Sequence, residues 1–418
     1  MDTGVFVYAD LNGAPLRVGR LFAHARGNRE SATFEYDEGW LGHDERFALD
    51  PALQLTRGAF HTGGDKPLFG AIGDSAPDRW GRVLMRRVER RRAEAAGETP
   101  RTLREIDFLL GVNDEARMGA LRFAAEEGGP FLAPPGDTRV PPLIDLPRLL
   151  SAAQRVVNED ETDEDLRLIF APGSSLGGAR PKASVRGTDG SLAIAKFPHK
   201  DDQWNDVLWE ALALTLAEKA GISVAPWRNE KIAGQDVLIV SRFDRANGVR
   251  IPFLSAMSMI GADDGETHSY FEIADALRQQ GARPQADLHA LWRRIVFTVL
   301  ISNVDDHMRN HGFLYGGSTG WVLSPAYDLN PVPVDVKPRV LCTAIDEEDT
   351  DASLELALSV AEYFELEQDE AKAIAGEVGG AVAQWHAVAE ALGIAGAEIK
   401  RMRSAFIHDN LHLAKSFA

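Results

Sequence analysis

Residues 301–315 read ISNVDDHMRNHGFLY, and the fold turns on how this stretch is read. Two adjacent carboxylates, Asp305 and Asp306, come just after the apolar run LWRRIVFTVLISN at 291–303, and His307 and Asn310 follow close behind. The apolar run belongs to a region, from about residue 255 onward, that reads as helical almost throughout, with 311–346 as the exception. Two acids, an imidazole and an amide are therefore crowded onto one short connection after a helix, the kind of place where binding and catalytic groups concentrate.

Gross composition bounds what this loop can serve. A chain of 418 residues, 44% of them hydrophobic, can bury more than one core and is expected to form two or three domains. The start, MDTGVFVYADL, carries no basic segment followed by a long apolar one, and no window reaches the roughly 18 uninterrupted apolar residues of a membrane span. Neither secretion nor membrane insertion is expected. The single cysteine, Cys342, excludes an internal disulfide and a cysteine metal cluster; its setting, RVLCTAI, reads as a strand or core position, and a reducing cytoplasm fits. Lys and Arg number 45 against 63 Asp and Glu, a formal net charge of −18, which repels a nucleic-acid backbone. If this protein acts at DNA, a partner holds it there. The run RRVERRR at 86–92 is the local exception; it falls in a predicted helix and reads first as a solvated basic face.

Residues 3–60 read as short strands and turns, and the pattern becomes helical after PDRWGR at 77–82. The segment 126–147, EEGGPFLAPPGDTRVPPLIDLP, is dense in Pro and Gly and reads as an interdomain connection. From 183, ASVRGTDGSLAIAKFP alternates apolar and polar residues around a TDGS turn, a hairpin signal. WNDVLWEALALTLAEKAGI has helical spacing and ends at Gly221, where the chain can take a left-handed cap, and DVLIVSRFDR reads as a buried strand. The expected organisation is an N-terminal subdomain over 1–125, the connection 126–147, a small strand-rich lobe with a nucleotide loop over 148–245, and a larger helical lobe over 246–418. The expected class is α+β, with the two-lobed architecture of protein kinases and an additional N-terminal α+β subdomain.

With that organisation the loop can be read chemically. Asp305 and Asn310 stand at the D-x-x-x-x-N interval of a kinase catalytic loop, in which the Asp receives the hydroxyl proton and the Asn holds a metal ion. Downstream, WVLSPAYDLNPV delivers Asp328 after a strand, where a second metal ligand is expected. Upstream, AIAK at 193–196 resembles the strand whose lysine reaches the nucleotide phosphates, and Glu210 on the following helix is placed to pair with Lys196. Taken singly, Lys196 reads as an edge lysine, Glu210 as a surface acid and Asp328 as a turn former. In this order, on these predicted elements, they read as phosphoryl transfer, with Mg²⁺ on Asn310 and Asp328 and Lys196 on the phosphates. The loop APGSSLGGARPKASV at 171–185 occupies the place of a phosphate-covering loop, yet Ala179 stands where a Walker lysine belongs, so a P-loop NTPase is disfavoured.

The motifs SSLGGARPKASV, AIAKFP, WEALALTLAEKAGI, SRFDR, NVDDHMRN and AYDL, in this order, resemble the HipA family, the kinase toxins of HipBA-type toxin–antitoxin systems; VGRL, FEYD and PDRWGR resemble that family's first domain. The resemblance implies a serine/threonine kinase using ATP and Mg²⁺ on a protein substrate, glutamyl-tRNA synthetase in the best-known member. It also implies a small helix-turn-helix antitoxin that carries the toxin to operator DNA. By the same resemblance Asp305 is the catalytic base, Asn310 and Asp328 are Mg²⁺ ligands, and Lys196 contacts the phosphates. Gly177, Gly178, Ala179 and Lys182 belong to the nucleotide loop, and the strand ending in Ser241, Arg242 and Phe243 lines the adenine pocket. His307 falls on the family's D-x-H-x-x-N histidine and reads as shaping the loop. Ser175, with Ser174 as the neighbouring choice, matches a serine that becomes phosphorylated. Asp306 departs from variants with a small residue there, and no A-P-E segment follows Asp328. Two other readings remain open at this point: a small-molecule or lipid kinase of the wider superfamily, distinguished by its acceptor, and a catalytically silent corepressor.

Overall fold

A computed structural model describes residues 3–64, 66–132, 140–170, 178, 180–263 and 265–418. The chain divides into two compact units, one of residues 1–201 and 230–254, the other of 202–229 and 255–418.

In the first unit, five antiparallel strands lie in the order 59–61, 29–36, 14–26, 3–11, 121–124. The first hairpin is set by Asn12 and Gly13, both at positive φ (53° and 78°). This is the Asn-Gly pair that a two-residue turn between twisted strands requires, and it brings Leu11 opposite Ala14. A second sheet of four strands, in the order Lys182–Arg186, Leu192–Lys196, Gln235–Ser241, Trp227–Ile232, contains the predicted hairpin. Gly187 N donates to Ser191 O at 2.8 Å to close its turn. Ala183, Val185, Ala195, Val237 and Ile239 of this sheet share a core with Leu149, Leu150 and Val156 of the helix Leu146–Asn158, and with Trp80 and Leu84 of the helix Arg79–Ala96. Asp78 caps that last helix by accepting from Gly81 N at 2.8 Å, and Gly97 ends it at φ 65°.

The second unit is mostly helical. Its central helix, Pro284–Ile301, is buried nearly all round over its last three turns, including Trp292, Ile295, Phe297 and Leu300, as a helix apolar on every face must be. Pro284 occupies the first turn, where its missing N–H costs nothing. The helix Asp206–Lys219 starts at the capping side chain of Asn205, and the chain turns out of it through Gly221 at φ 73°, as expected. The unit also holds helices Tyr270–Gln280, Gln368–Val382, Trp385–Ala391, Gly396–Phe406 and Asp409–Lys415, and an antiparallel hairpin of Gly312–Tyr315 and Trp321–Leu323. Among the described residues no helix is long and apolar enough to cross a membrane.

Two readings need correction. Cys342 is exposed: it falls in a bend just before the short strand Thr343–Ala344, between the buried Leu341 and Thr343. The run 86–92 is not a simple solvated basic face. Arg87 pairs with Glu161 at 2.7 Å and Arg92 with Glu89 at 3.0 Å, Arg91 donates to Glu161 O at 3.0 Å, and Arg86 lies over the ring of Phe108.

Candidate active site

The central helix stops at Ser302, which takes a left-handed conformation at φ 53° and is locked by its own hydroxyl donating to Ala405 O at 2.7 Å. The loop that follows separates the paired acids. The Asp305 side chain is 58% exposed, with Lys337 Nζ 3.1 Å from Oδ1 and Cys342 Sγ 3.9 Å from the same oxygen. The Asp306 side chain is turned inward, only 4% exposed. Its Oδ2 accepts from Tyr270 OH at 2.5 Å and meets His311 Nε2 at 2.9 Å, while Thr343 Oγ1 donates to its carbonyl at 2.6 Å. Burial alone would push the Asp306 carboxyl up, yet the charge and hydrogen bond of His311 and the Tyr270 hydroxyl hold it below the ordinary carboxylate range. Burial pushes the Tyr270 hydroxyl well up, and the adjacent Asp306 charge adds to this, so Tyr270 stays a donor. Two neighbouring aspartates thus have two different tasks: one faces solvent with its charge available, the other fixes the loop from below.

Asn310, 6% exposed, closes the loop by donating from Nδ2 to Asp305 O at 3.2 Å. That bond assigns its amide and leaves Oδ1 as an acceptor for a cation. His307 N donates to Asp305 O at 3.0 Å and Asn310 N to His307 O at 2.8 Å, so the imidazole-bearing residue sits inside the turn that presents the acid. Its Nδ1 is buried without a hydrogen-bond partner among the described residues. Asp328 follows the hairpin and has φ 59°, a conformation that Asp tolerates better than most side chains but that still stores strain, as functional positions often do. Tyr327, just before it, donates from its hydroxyl to Arg309 O at 2.8 Å, tying this segment to the loop. An amide oxygen and a carboxylate are hard donors suited to Mg²⁺, which takes few protein ligands and completes its shell with waters and phosphate oxygens. Among the described residues no group of three or more His, Cys, Asp or Glu could hold a metal ion.

The residues expected to meet the nucleotide lie in the first unit, apart from Glu210, which belongs to the second. Lys196 ends the strand Leu192–Lys196 and pairs across it with Lys182 and Leu238. Lys182 is 2% exposed, with Nζ 2.7 Å from Asp78 Oδ2, and Trp80 Nε1 donates to its carbonyl at 3.0 Å. PDRWGR therefore clamps the strand that carries Lys182. The predicted strand DVLIVSRFDR stops at Ser241; Ser241 and Phe243 stay partly exposed, whereas Arg242 and Asp244 are buried. Arg242 Nε donates to Asp244 Oδ1 at 2.6 Å and its Nη1 to Ala116 O at 2.8 Å, while Gly119 N donates to Asp244 Oδ2 at 2.7 Å. Burial opposes the Asp244 charge, but Arg242 and Arg245 bring its carboxyl down to about 2. Gly178 has φ 98°, open to glycine alone in practice. Gly177, Ala179, Ser174 and Ser175 lie outside the described residues. Glu210 is 7% exposed in its helix, which excludes the surface-acid reading.

Sequence reasoning missed Asp78, the Arg242–Asp244 pair, the partners of Asp306, and Lys337. Asp78 was signalled by a proline–aspartate pair at a helix start, whereas Arg242 and Asp244 lie just past the strand that ends at Ser241 and carried no signal from its period. Lys337 carried no signal, because only the return of the chain brings it to Asp305.

Residues 174–385, just over half of the chain, match the family described as the HipA-like C-terminal domain. A Sinorhizobium fredii protein named as a candidate kinase, Y4mE, is 28% identical over 328 residues, which are 71% of this chain and 71% of that protein. A Haemophilus influenzae protein, also named as a candidate kinase, is 27% identical over 139 residues, 30% of this chain and 40% of the other. Among solved structures, the complex of Shewanella oneidensis HipA with HipB and its operator DNA is similar with a TM-score of 0.66 at 16% identity, over 98% of this chain and 96% of that one. At that identity the likeness is one of fold, and the fold is the expected α+β kinase-like one.

Proposed function

Because the chain belongs to the HipA-like C-terminal domain family, we propose that it is an ATP-dependent serine/threonine protein kinase of the HipA toxin type. The observation that carries the reading is the loop itself: Asp305 is exposed while its own carbonyl holds Asn310, 3.2 Å away, in register. In this reading Asp305 takes the proton of the acceptor hydroxyl as its oxygen attacks the γ-phosphorus. Asn310 and Asp328 would hold Mg²⁺, which when bound neutralises charge on the phosphates. Lys196 meets the phosphates; Lys182 and Gly178 belong to the nucleotide loop; Ser241 and Phe243 line the adenine pocket. His307 keeps the loop in shape.

The finer assignments follow the family. The acceptor is a serine or threonine of a translation factor, an aminoacyl-tRNA synthetase such as glutamyl-tRNA synthetase in first place, and its modification arrests growth in the cytoplasm. Self-phosphorylation at Ser175, or at Ser174, adds about −1.5 to −2 charges beside the place of ATP's own phosphates and switches the enzyme off. A HipB-like helix-turn-helix antitoxin neutralises the kinase and carries it to operator DNA; the assembly of the Shewanella HipA with HipB and DNA supports looking for that partner. Phosphate transfer from γ-labelled Mg-ATP tests the core of the reading. Asp305→Asn should retain ATP binding and lose roughly 10²- to 10⁴-fold in rate, and Asp328→Ala should lose transfer altogether. Wild-type rates in either variant would overturn the site assignment.

A further inference from the structure

The segment from Pro331 to Cys342 returns to the loop of the paired acids at both ends. Val332 N donates to Ser302 O at 3.1 Å, and Cys342 N donates to Val304 O at 3.2 Å. Between these anchors the chain turns tightly, with Val336 N and Lys337 N both donating to Pro333 O, at 3.0 and 3.3 Å, and Pro331, Pro333 and Pro338 restrict φ along it. The turn delivers Lys337 Nζ to within 3.1 Å of Asp305 Oδ1.

Stability does not account for this pair. With side chains 51% and 58% exposed, it belongs with surface ion pairs, which contribute little to stability. Reaction electrostatics does account for it. Phosphoryl transfer brings an anionic carboxylate and an anionic phosphoryl group to the same acceptor oxygen, and an ammonium beside the carboxylate offsets that repulsion. The geometry also divides the carboxylate. Both contacts, from Lys337 and from the Cys342 thiol, fall on Oδ1, and among the described residues no hydrogen bond reaches Oδ2, which is left to meet the acceptor.

The geometry points to Lys337 as a positioning residue for phosphoryl transfer, acting through Asp305; the inference rests on the kinase reading. Asp305 Oδ2 takes the acceptor proton, and the freed oxygen bonds to the γ-phosphorus. The bond from that phosphorus to the bridging oxygen breaks, and ADP leaves with the electron pair. Lys337 neither gives nor takes a proton. It holds the carboxylate rotamer and screens its charge.

The test uses the purified full chain and γ-labelled Mg-ATP, counting all label that leaves ATP, whether to the chain itself or to water. Lys337→Met should lower kcat by roughly 10²-fold, the lower end of what removing one stabilising donor costs, while KM for ATP stays within about twofold. Its Tm should not move, and Lys337→Arg should restore most of the rate. The rate of the Met variant should also respond less to added salt than the wild-type rate, because the screened charge is gone. A Met variant with wild-type kcat would overturn the role of Lys337 and leave the kinase reading intact. A fall in kcat that follows a fall in Tm, with no recovery in the Arg variant, would make Lys337 structural. A wild-type chain that removes no label from ATP would bring down the kinase reading and this inference together.

Discussion

Asp305 and Asp306 are neighbours in sequence and opposites in environment, and the contrast shows what a residue-by-residue reading can reach. The spacing of Asp305 to Asn310 was legible because it is local. The task of Asp306 was not, because its partners Tyr270 and Thr343 come from distant parts of the chain. Replacing Asp306 by Ala strands a buried imidazole and a buried hydroxyl, and breaking a buried pair from one side costs about 3–5 kcal/mol. Chemical denaturation should show a loss of that size for Asp306→Ala, and a loss under 1 kcal/mol would show that the inward acid does not anchor the loop. Asp328 makes a different prediction. At φ 59° a glycine fits more easily than any L residue, and the relief is worth about 1 kcal/mol. Asp328→Gly should therefore abolish transfer while leaving the unfolding midpoint close to that of the wild type. A collapse in stability would assign this aspartate to folding instead.

At the scale of elements, local rules did well wherever a signal lay within a few residues. The hairpin at 182–196, the helix closed by Gly221 and the helix carrying 86–92 stand where turn chemistry and apolar spacing put them. They do not reach contacts between elements far apart in the chain. His408 is such a case: it caps the helix Asp409–Lys415 by accepting from Leu411 N at 3.3 Å on Nδ1, while Nε2 meets Leu300 O at 3.1 Å. The first contact requires an unprotonated Nδ1 and the second a proton on Nε2, and burial, with Arg339 nearby, pushes the pKa of the imidazole down to about 4 from the usual 6.5. The unfolded chain takes up a proton below pH 6.5 that the folded chain refuses until about pH 4. This contribution is thus fully present above pH 6.5 and is lost as the pH falls through that window, with a slope of at most about 1.4 kcal/mol per pH unit. His408→Asn keeps a capping oxygen but cannot titrate. Its unfolding free energy should fall less steeply than that of the wild type between those two pH values, and identical slopes would remove His408 as the cause.

For the molecule as a whole, charge decides what can be approached unaided. A net charge of −18 opposes a DNA backbone, and the basic run that could have relieved it locally has Arg87, Arg91 and Arg92 tied to Glu161 and Glu89. The isolated chain should not shift a fragment of its own promoter at physiological salt. Arg87→Ala with Arg91→Ala should lower Tm without changing the DNA affinity of any complex it forms with an antitoxin; weaker DNA binding by that complex would return the run to the interface. Path matters as much as charge. The chain passes between its two units three times, so neither unit is one continuous piece. The matched segment 174–385 holds Trp209 and Trp385 but not Phe406, whose ring stacks on both, at centroid distances of 6.1 and 4.8 Å. It also holds the 182–196 hairpin but not the Leu149, Leu150 and Trp80 that cover it. Large apolar side chains contribute about 1.5–3 kcal/mol each when buried, and stripping several of them exceeds the roughly 5–15 kcal/mol by which a fold survives. Cut out on its own, the shared segment should be a sticky, uncooperative polypeptide by circular dichroism and calorimetry. A silent assay on such a fragment would then report the loss of a scaffold rather than the lack of a reaction.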